Sequence, residues 1–279
     1  MTTKYLTKIL NPKFGLFLGG FVSEGNIVDN GSLKITNQDL EFINYIVKSA
    51  TDVFGNEIVT TKPPTLEHAI DSPDFAYNKF MRNGFGMFLI NEIGIKPGKR
   101  ILNDQALPNF VSDWFKNDVN SESLKDWIRN YIQARFSGDG WVHLTKKWIG
   151  LTKAKSISID NKTLRRELSK LYRKGRKIRD YPKDFVNKLN IEARKEFNLP
   201  KELVQLKEFL SNIFSIDSRV YSVGVRVIYY DKKREILIVS VGYHLIISGK
   251  ENVKKFRANI NFLEIDKKNL ARIGMITKK

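Results

Sequence analysis

Two acid–glycine pairs, Glu24-Gly25 and Asp139-Gly140, are the residues of this chain best placed to do chemistry together. Carboxylate oxygens are what a hard divalent cation takes as ligands, and two of them meeting at one place make a different object from either alone. Each pair closes a helical stretch with an unusual face. Asn11 and Pro12 supply a helix start, N-cap followed by proline at the first helical position, and Gly15, Gly19 and Ser23 then fall four apart on one side. In the second stretch, Asp126 to Gly140, Ala134 and Gly138 are four apart. Superposing Gly25 on Gly140 puts Gly19 over Ala134, Ser23 over Gly138 and Glu24 over Asp139. Two helices with such bare faces can pack backbone to backbone, and the packing delivers the two carboxylates side by side.

The elements around these helices repeat. After Gly25, the Asn30-Gly31 turn joins two short strands, with Ser32 to Thr36 as the second. Asp39 to Phe54 carries apolar residues at helical spacing and closes at Gly55. The patterns predict a second strand pair at 56–62 and 65–70 around Pro63-Pro64, and a helix over 74–93 broken near Gly84. Segment 96–122 connects the halves. Past Gly140, strands are expected at 141–144 and 148–152, a helix at 200–214, strong strands at 219–230 and 236–247, and a last helix at 251–260. Residues 157–199 are an insertion with a basic core, 165–179, which either tracks phosphates or is a solvated helix. The expected organisation is an N-terminal half, 1–102, a connector, 103–121, and a C-terminal half, 122–279. The fold class is α/β in the α+β sense: two pseudo-symmetric αββαββα halves, each with an antiparallel sheet, forming a saddle.

Charge narrows the partner. The chain has 279 residues, with 48 Lys+Arg against 30 Asp+Glu and a formal net charge of +18. Such a field favours a polyanion, nucleic acid first. No basic amphipathic helix points to a membrane, and the longest apolar run, Phe14 to Val22, is far too short to span one. The first residues lack the apolar core of a secretory signal. With no cysteine, disulfides and thiolate metal sites are excluded. His68, His143 and His244 stand apart and read as core or strand residues, and Trp114, Trp127, Trp141 and Trp148 read as core.

A small-residue helix ending in acid–glycine, used twice with helix–hairpin units between, resembles the LAGLIDADG homing endonucleases of the single-chain, two-repeat kind. Phe17 to Gly25 (FLGGFVSEG) keeps the third-place glycine and the terminal acid–glycine, with Val22 where the family commonly has an acid. Ile132 to Gly140 (IQARFSGDG) departs at its start and ends in GDG. Segments 35–43 (ITNQDLEFI) and 243–256 (YHLIISGKENVKKF) match the family's strand–helix junctions, so the resemblance covers nearly the whole chain outside 157–199.

The resemblance implies a site-specific enzyme making double-strand breaks in a long, asymmetric DNA target, with Glu24 and Asp139 binding Mg²⁺ (Ca²⁺ or Mn²⁺ substituting) and each serving one strand. Carry-over places a basic residue beside each scissile phosphate: Lys96 or Lys99 in the first half, Lys267 or Lys268 in the second. Asn37 and Lys153 would order solvent. Alternation along the strands offers Ser32 and Lys34, and in the second half Lys153 and Lys155, to the major groove, with Arg219, Tyr221 and Arg226 on a later strand pair and Asn37 counted with the DNA contacts. The expected protein is a monomer, intracellular where its target DNA resides (archaeal cytoplasm or organelle matrix), not secreted, intron-encoded or free-standing. The alternative on the same scaffold is an RNA maturase acting on intron RNA, or a DNA-binding protein that does not cut.

Overall fold

The computed structural model describes residues 7–68, 75–98, 107–118, 120–173, 176–195, 198–231 and 233–277. In the first half, helix α1 (Pro12–Glu24) leads directly into β1 (Gly25–Ile27), followed by β2 (Leu33–Asn37), α2 (Leu40–Phe54), β3 (Thr65–His68), β4 (Phe75–Met81) and α3 (Asn83–Asn91). The four strands form one antiparallel sheet in the order β1-β2-β4-β3. Helix α4 (Asn109–Asn117) lies within the expected connector. The second half opens on α5 (Glu122–Asp139), then β5 (Gly140–His143), β6 (Trp148–Ser158), α6 (Lys162–Leu171), α7 (Lys183–Lys195), α8 (Lys201–Phe214), β7 (Ser218–Asp231), β8 (Ile236–Ile247), α9 (Lys250–Asn259) and α10 (Lys267–Thr277). Its sheet, β5-β6-β8-β7, has the same antiparallel order. The mixed α/β architecture of two like halves is therefore as expected.

Three expectations need correcting. Segment 56–62 is not a strand: Asn56–Ile58 is a 3₁₀ turn, and Val59 makes one isolated bridge to Met81. Its place is taken by Phe75–Met81, which was expected to be helical. This strand sits in the middle of the sheet, bonded to β2 on one side and β3 on the other. Residues 69–70 of the expected second strand lie outside the described residues. The chain also does not stop at α9; α10 follows it.

The helices cap one face of each sheet. In β6, Ile149, Leu151, Lys153 and Ile157 are buried on that face, with Leu237, Val239, Val241, Tyr243 and Leu245 beside them on β8. The insertion thickens this layer. Phe185, Leu189 and Ala193 of α7 are buried, and the Asn190 side chain accepts a hydrogen bond from the Val225 N–H at a bulge in β7 (2.8 Å). The insertion thus packs as part of the helix layer behind the β7–β8 hairpin. Of the basic run, Arg165 is bonded to Asp160 and to the Ile159 carbonyl, and the Arg176 guanidinium lies 4.6 Å over the Tyr181 ring.

Candidate functional site

Helices α1 and α5 meet through the small residues the spacing picks out. A Cβ added to Gly15 would fall 2.6 Å from the Trp127 carbonyl oxygen, and one on Gly19 would fall 2.2 Å from that of Tyr131. At Gly138 the nearest atom would be the Ser23 Cβ, at 2.5 Å. No side chain fits at Gly15 or Gly19 without separating the backbones. The contact runs to the last turn of both helices, and Glu24 and Asp139 are the residues immediately after Ser23 and Gly138. Both helices end alike: the Gly25 N–H bonds to the Phe21 carbonyl and the Gly140 N–H to that of Phe136, and each glycine starts a strand with no intervening loop. Two carboxylates thus leave adjoining helix ends at equivalent points of the two halves.

The second carboxylate has a companion that sequence reasoning did not single out. Arg135, one turn before Asp139, is only 2 % exposed. Its Nη1 donates to Asp139 Oδ2 at 2.5 Å and to Ser23 Oγ at 2.8 Å, and its Nε donates to Glu202 Oε1 at 2.7 Å. Glu202, at the start of α8, is 1 % exposed; it also pairs with Lys153 Nζ and accepts from the Tyr131 hydroxyl at 2.9 Å. Burial alone would raise the Glu202 carboxyl, but Arg135 and then Lys153 hold it down at about 2. Burial works against the Arg135 charge too, and Glu202 followed by Asp139 more than restores it. The sequence clue to this network is an arginine amid Tyr131, Ile132, Ala134 and Phe136 on an otherwise buried helix face. Nothing local marks Glu202.

As an oxygen donor set, Glu24 and Asp139 suit Mg²⁺, which takes one or two carboxylates and fills its shell with water or phosphate. Among the described residues no group of three or more His, Cys, Asp or Glu gathers into a metal cluster.

Lys96 and Lys267 each lie in a segment bonded to the first strand of its half. Gly98 donates to the Ile27 carbonyl at 2.9 Å, which lays the exposed Lys96 segment along β1. In the second half, Asn269 Nδ2 reaches the Gly140 carbonyl at 3.4 Å, which sets the first turn of α10, with exposed Lys267 and Lys268, beside β5. Lys99 lies outside the described residues. Asn37 and Lys153 are equivalent in register, since Ile35 faces Gly25 and Leu151 faces Gly140. The Asn37 side chain accepts from the Asp39 N–H at 2.7 Å.

The same register corrects the reading of Lys153 and Lys155. They do not repeat Ser32 and Lys34; they lie on the face of β6 that packs against the helices. Lys153 is buried against Glu202, and Lys155 donates to the Asn198 carbonyl at 3.3 Å. The counterpart of Lys34 is Gly150. The opposite face of the second sheet instead carries a strip that crosses all four strands. Trp141 Nε1 donates to Thr152 Oγ1 at 3.1 Å, the His244 ring lies 5.5 Å from Trp141 and 5.9 Å from Tyr221, and Arg226 Nη2 is 3.2 Å from His244 Nε2. Arg219 is exposed on the same strand as Tyr221. On the equivalent face of the first sheet, Lys34 and Thr36 are half-buried and Thr36 Oγ1 donates to Asn78 Oδ1 at 2.6 Å; Ser32 precedes that strand. Trp141 is thus a surface residue of this strip, while Trp127 is core, as expected.

No known family model matches the chain, and no curated protein matches it by sequence. Among solved structures, full-length DUF199/WhiA from Thermatoga maritima is similar at 8 % identity and a TM-score of 0.43 over 94 % of this chain; the chain spans 59 % of that protein's length. The homing endonuclease I-DmoI in complex with DNA and Ca is similar at 10 % identity and a TM-score of 0.41, covering 90 % of each chain. Its complex with DNA and Mn gives 8 % and 0.40, over 90 % of this chain and 97 % of that one. Among the described residues no helix is long and apolar enough to cross a membrane.

Proposed function

We propose that this chain is a divalent-metal-dependent homing endonuclease of the LAGLIDADG kind, a monomer that cuts both strands of a long asymmetric DNA site. The observation that carries this reading is the matched seam: two helices in backbone contact, each ending in an acid–glycine step where a sheet begins. Glu24 and Asp139 would each hold a Mg²⁺ ion for one strand, and the ion when bound would supply charge neutralisation and an activated water at the phosphate. Lys96 and Lys267, carried beside the first strand of each half, would stabilise charge at the leaving and non-bridging oxygens. The sheet faces bearing Lys34 and Thr36, and Arg219, Tyr221 and Arg226, would lie in the major groove, where strand side chains reach base edges. The net charge of +18 supplies the non-specific attraction.

The test is selection of cut molecules from a randomised plasmid library in Mg²⁺, followed by Glu24→Gln and Asp139→Asn on the selected site. Each variant should lose cutting while keeping DNA binding in Ca²⁺. Cutting that survives both changes would sink the assignment. One observation favours a second reading, a nucleic-acid-binding protein that does not cut: the Asp139 carboxylate already has a guanidinium on it. That reading predicts tight binding of DNA or intron RNA, and no cleaved product with any divalent ion.

A further inference from the structure

We infer that the part of the second sheet beyond Lys153 selects thymine by its 5-methyl group, in the outer part of one half-site. The inference rests on the nuclease reading above and adds to it a base preference that belongs to one half of the protein.

This surface has no counterpart in the first half. Asn37, the register equivalent of Lys153, is the last residue of β2, whereas β6 runs on to Ser158. Those five further residues add about 17 Å of strand, paired with β8 as far as Ile238. The insertion holds the extension from behind. The Ile159 N–H donates to the Leu237 carbonyl at 2.8 Å, the Tyr172 ring meets that of Tyr230 edge-on at 5.8 Å, and Asn190 takes the Val225 N–H.

The open face of the extension is apolar, small and uncharged. Two bulges in β7 insert Val223 and Arg226, and both side chains lie across Gly242: a Cβ there would fall 2.5 Å from Arg226 Nε and 2.8 Å from Val223 Cγ2. Outward from Arg226, Val227 and Tyr229 are 40 % and 38 % exposed. They stand beside Ser240 and Ile238 of β8, which in turn face Ser156 and Ser158 of β6. Among the described residues no charged side chain stands on this face between Arg226 and Asp231.

In a protein of net charge +18, an exposed face without charge, bordered by Arg226, suits base edges and not phosphates. The thymine methyl is the apolar group that the major groove presents. Cytosine carries a hydrogen at that position, and the purines present acceptors that valine cannot satisfy. The serines of β6 and β8 leave room for base edges, while Val223 and Val227 supply the apolar contact. Burying one methyl is worth about fourfold in affinity.

Selection of duplexes bound in Ca²⁺ from a randomised pool tests this. The enriched site should carry thymine at two or more positions in the outer part of one half-site. Replacing each of these by deoxyuridine, which removes only the methyl, should weaken binding about fourfold per position, and 5-methyldeoxycytidine should bind better than deoxycytidine there by the same factor. Val227→Ser should bind the thymine and uracil duplexes more nearly alike. Because the first comparison changes the DNA alone, it decides the matter even where that variant fails to fold. Equal binding of the thymine and uracil duplexes overturns the inference, and cutting of the enriched site in Mg²⁺ then leaves the nuclease reading standing. A methyl preference undiminished in both Val223→Ser and Val227→Ser means that another surface reads the base, and overturns it as well. A protein that enriches no duplex, and cuts none with any divalent ion, overturns the inference and the nuclease reading together.

Discussion

Ser23 and Arg135 hold each other across the seam: the serine hydroxyl accepts from the arginine Nη1 at 2.8 Å and lies 3.3 Å from the arginine's own carbonyl oxygen, to which it donates. Ser23 belongs to the first helix and Arg135 to the second, and each is within one turn of its helix's carboxylate. The hydrogen bond couples the halves at the level where the two acids emerge. Backbone contact above it, at Gly15 and Gly19, sets the distance; this pair sets the register.

Gly19→Ala should cost about 3 kcal/mol, because the new methyl meets a main-chain oxygen at 2.2 Å and overpacking a rigid seam forces the backbone to move. Gly84→Ala is the control. Gly84 has nothing within 4 Å of its Cβ direction and lies in α3, so alanine should be neutral or stabilise by about 0.5 kcal/mol. Denaturant unfolding of both variants decides it; equal stabilities would mean the seam is looser than it stands here.

Acid should unfold the protein through Glu202. Its carboxyl is held at about 2, below the ordinary value of 4.5, so the folded state binds the proton less readily than the unfolded chain. That contribution is complete above about pH 4.5 and is lost as pH falls from there towards 2, amounting to about 3 kcal/mol. Glu202→Gln should flatten stability over this window, and at pH 7 should cost about 3–5 kcal/mol because Arg135 and Lys153 lose a buried partner. Unfolding midpoints measured from pH 7 to pH 2 check both statements.

Binding should distinguish the two faces of the second sheet. Arg226→Ala should weaken DNA binding by about 1 kcal/mol and lower the slope of log affinity against log salt by about one, and Tyr221→Ala should weaken it without changing the slope. Lys155→Ala, on the packed side near Asn198, should leave both unchanged. A Lys155→Ala effect as large as that of Arg226→Ala would mean that nucleic acid approaches from the helix layer instead.

What could be read from the sequence was whatever local spacing encodes. The bare face of α1, the acid–glycine ends and the long β7–β8 hairpin follow from residues four or two apart, and all are found. Phe75–Met81 does not read as a strand because Phe80 and Met81 are adjacent and Lys79, on the face shared with Leu33 and Ile35, is charged, which spoils strand alternation; it is a strand because it is bonded on both sides by partners distant in the chain. For Lys153 and Lys155, alternation fixes which residues share a face and leaves open which face is packed; the pairing with Glu202 and Asn198 decides it. The Arg135 network was out of reach for a stronger reason. Its anchor, Glu202, comes after the whole insertion, and only folding shows that this carboxylate in α8 meets one cation from α5 and one from β6.

His244 offers a pH dependence in the binding itself. Burial, and then the charge of Arg226 beside it, push the imidazole below its ordinary 6.5, so in the free protein it is neutral at pH 7. Protonation is therefore unfavourable to the free fold: the stability His244 contributes is present above about pH 6.5 and declines as pH falls through its lowered value. A polyanion on the Trp141–Tyr221 strip reverses the balance, since phosphates offset the Arg226 field and favour imidazolium. The bound value then exceeds the free one, and binding takes up a proton. Affinity for DNA should rise severalfold between pH 7.5 and about pH 6 at constant salt. His244→Gln should remove most of that rise while keeping the ring-sized polar group on the strip. Affinities measured across this range for the two proteins decide the matter: a wild-type affinity that is flat in pH, or one that climbs equally in the variant, means nucleic acid does not lie over His244.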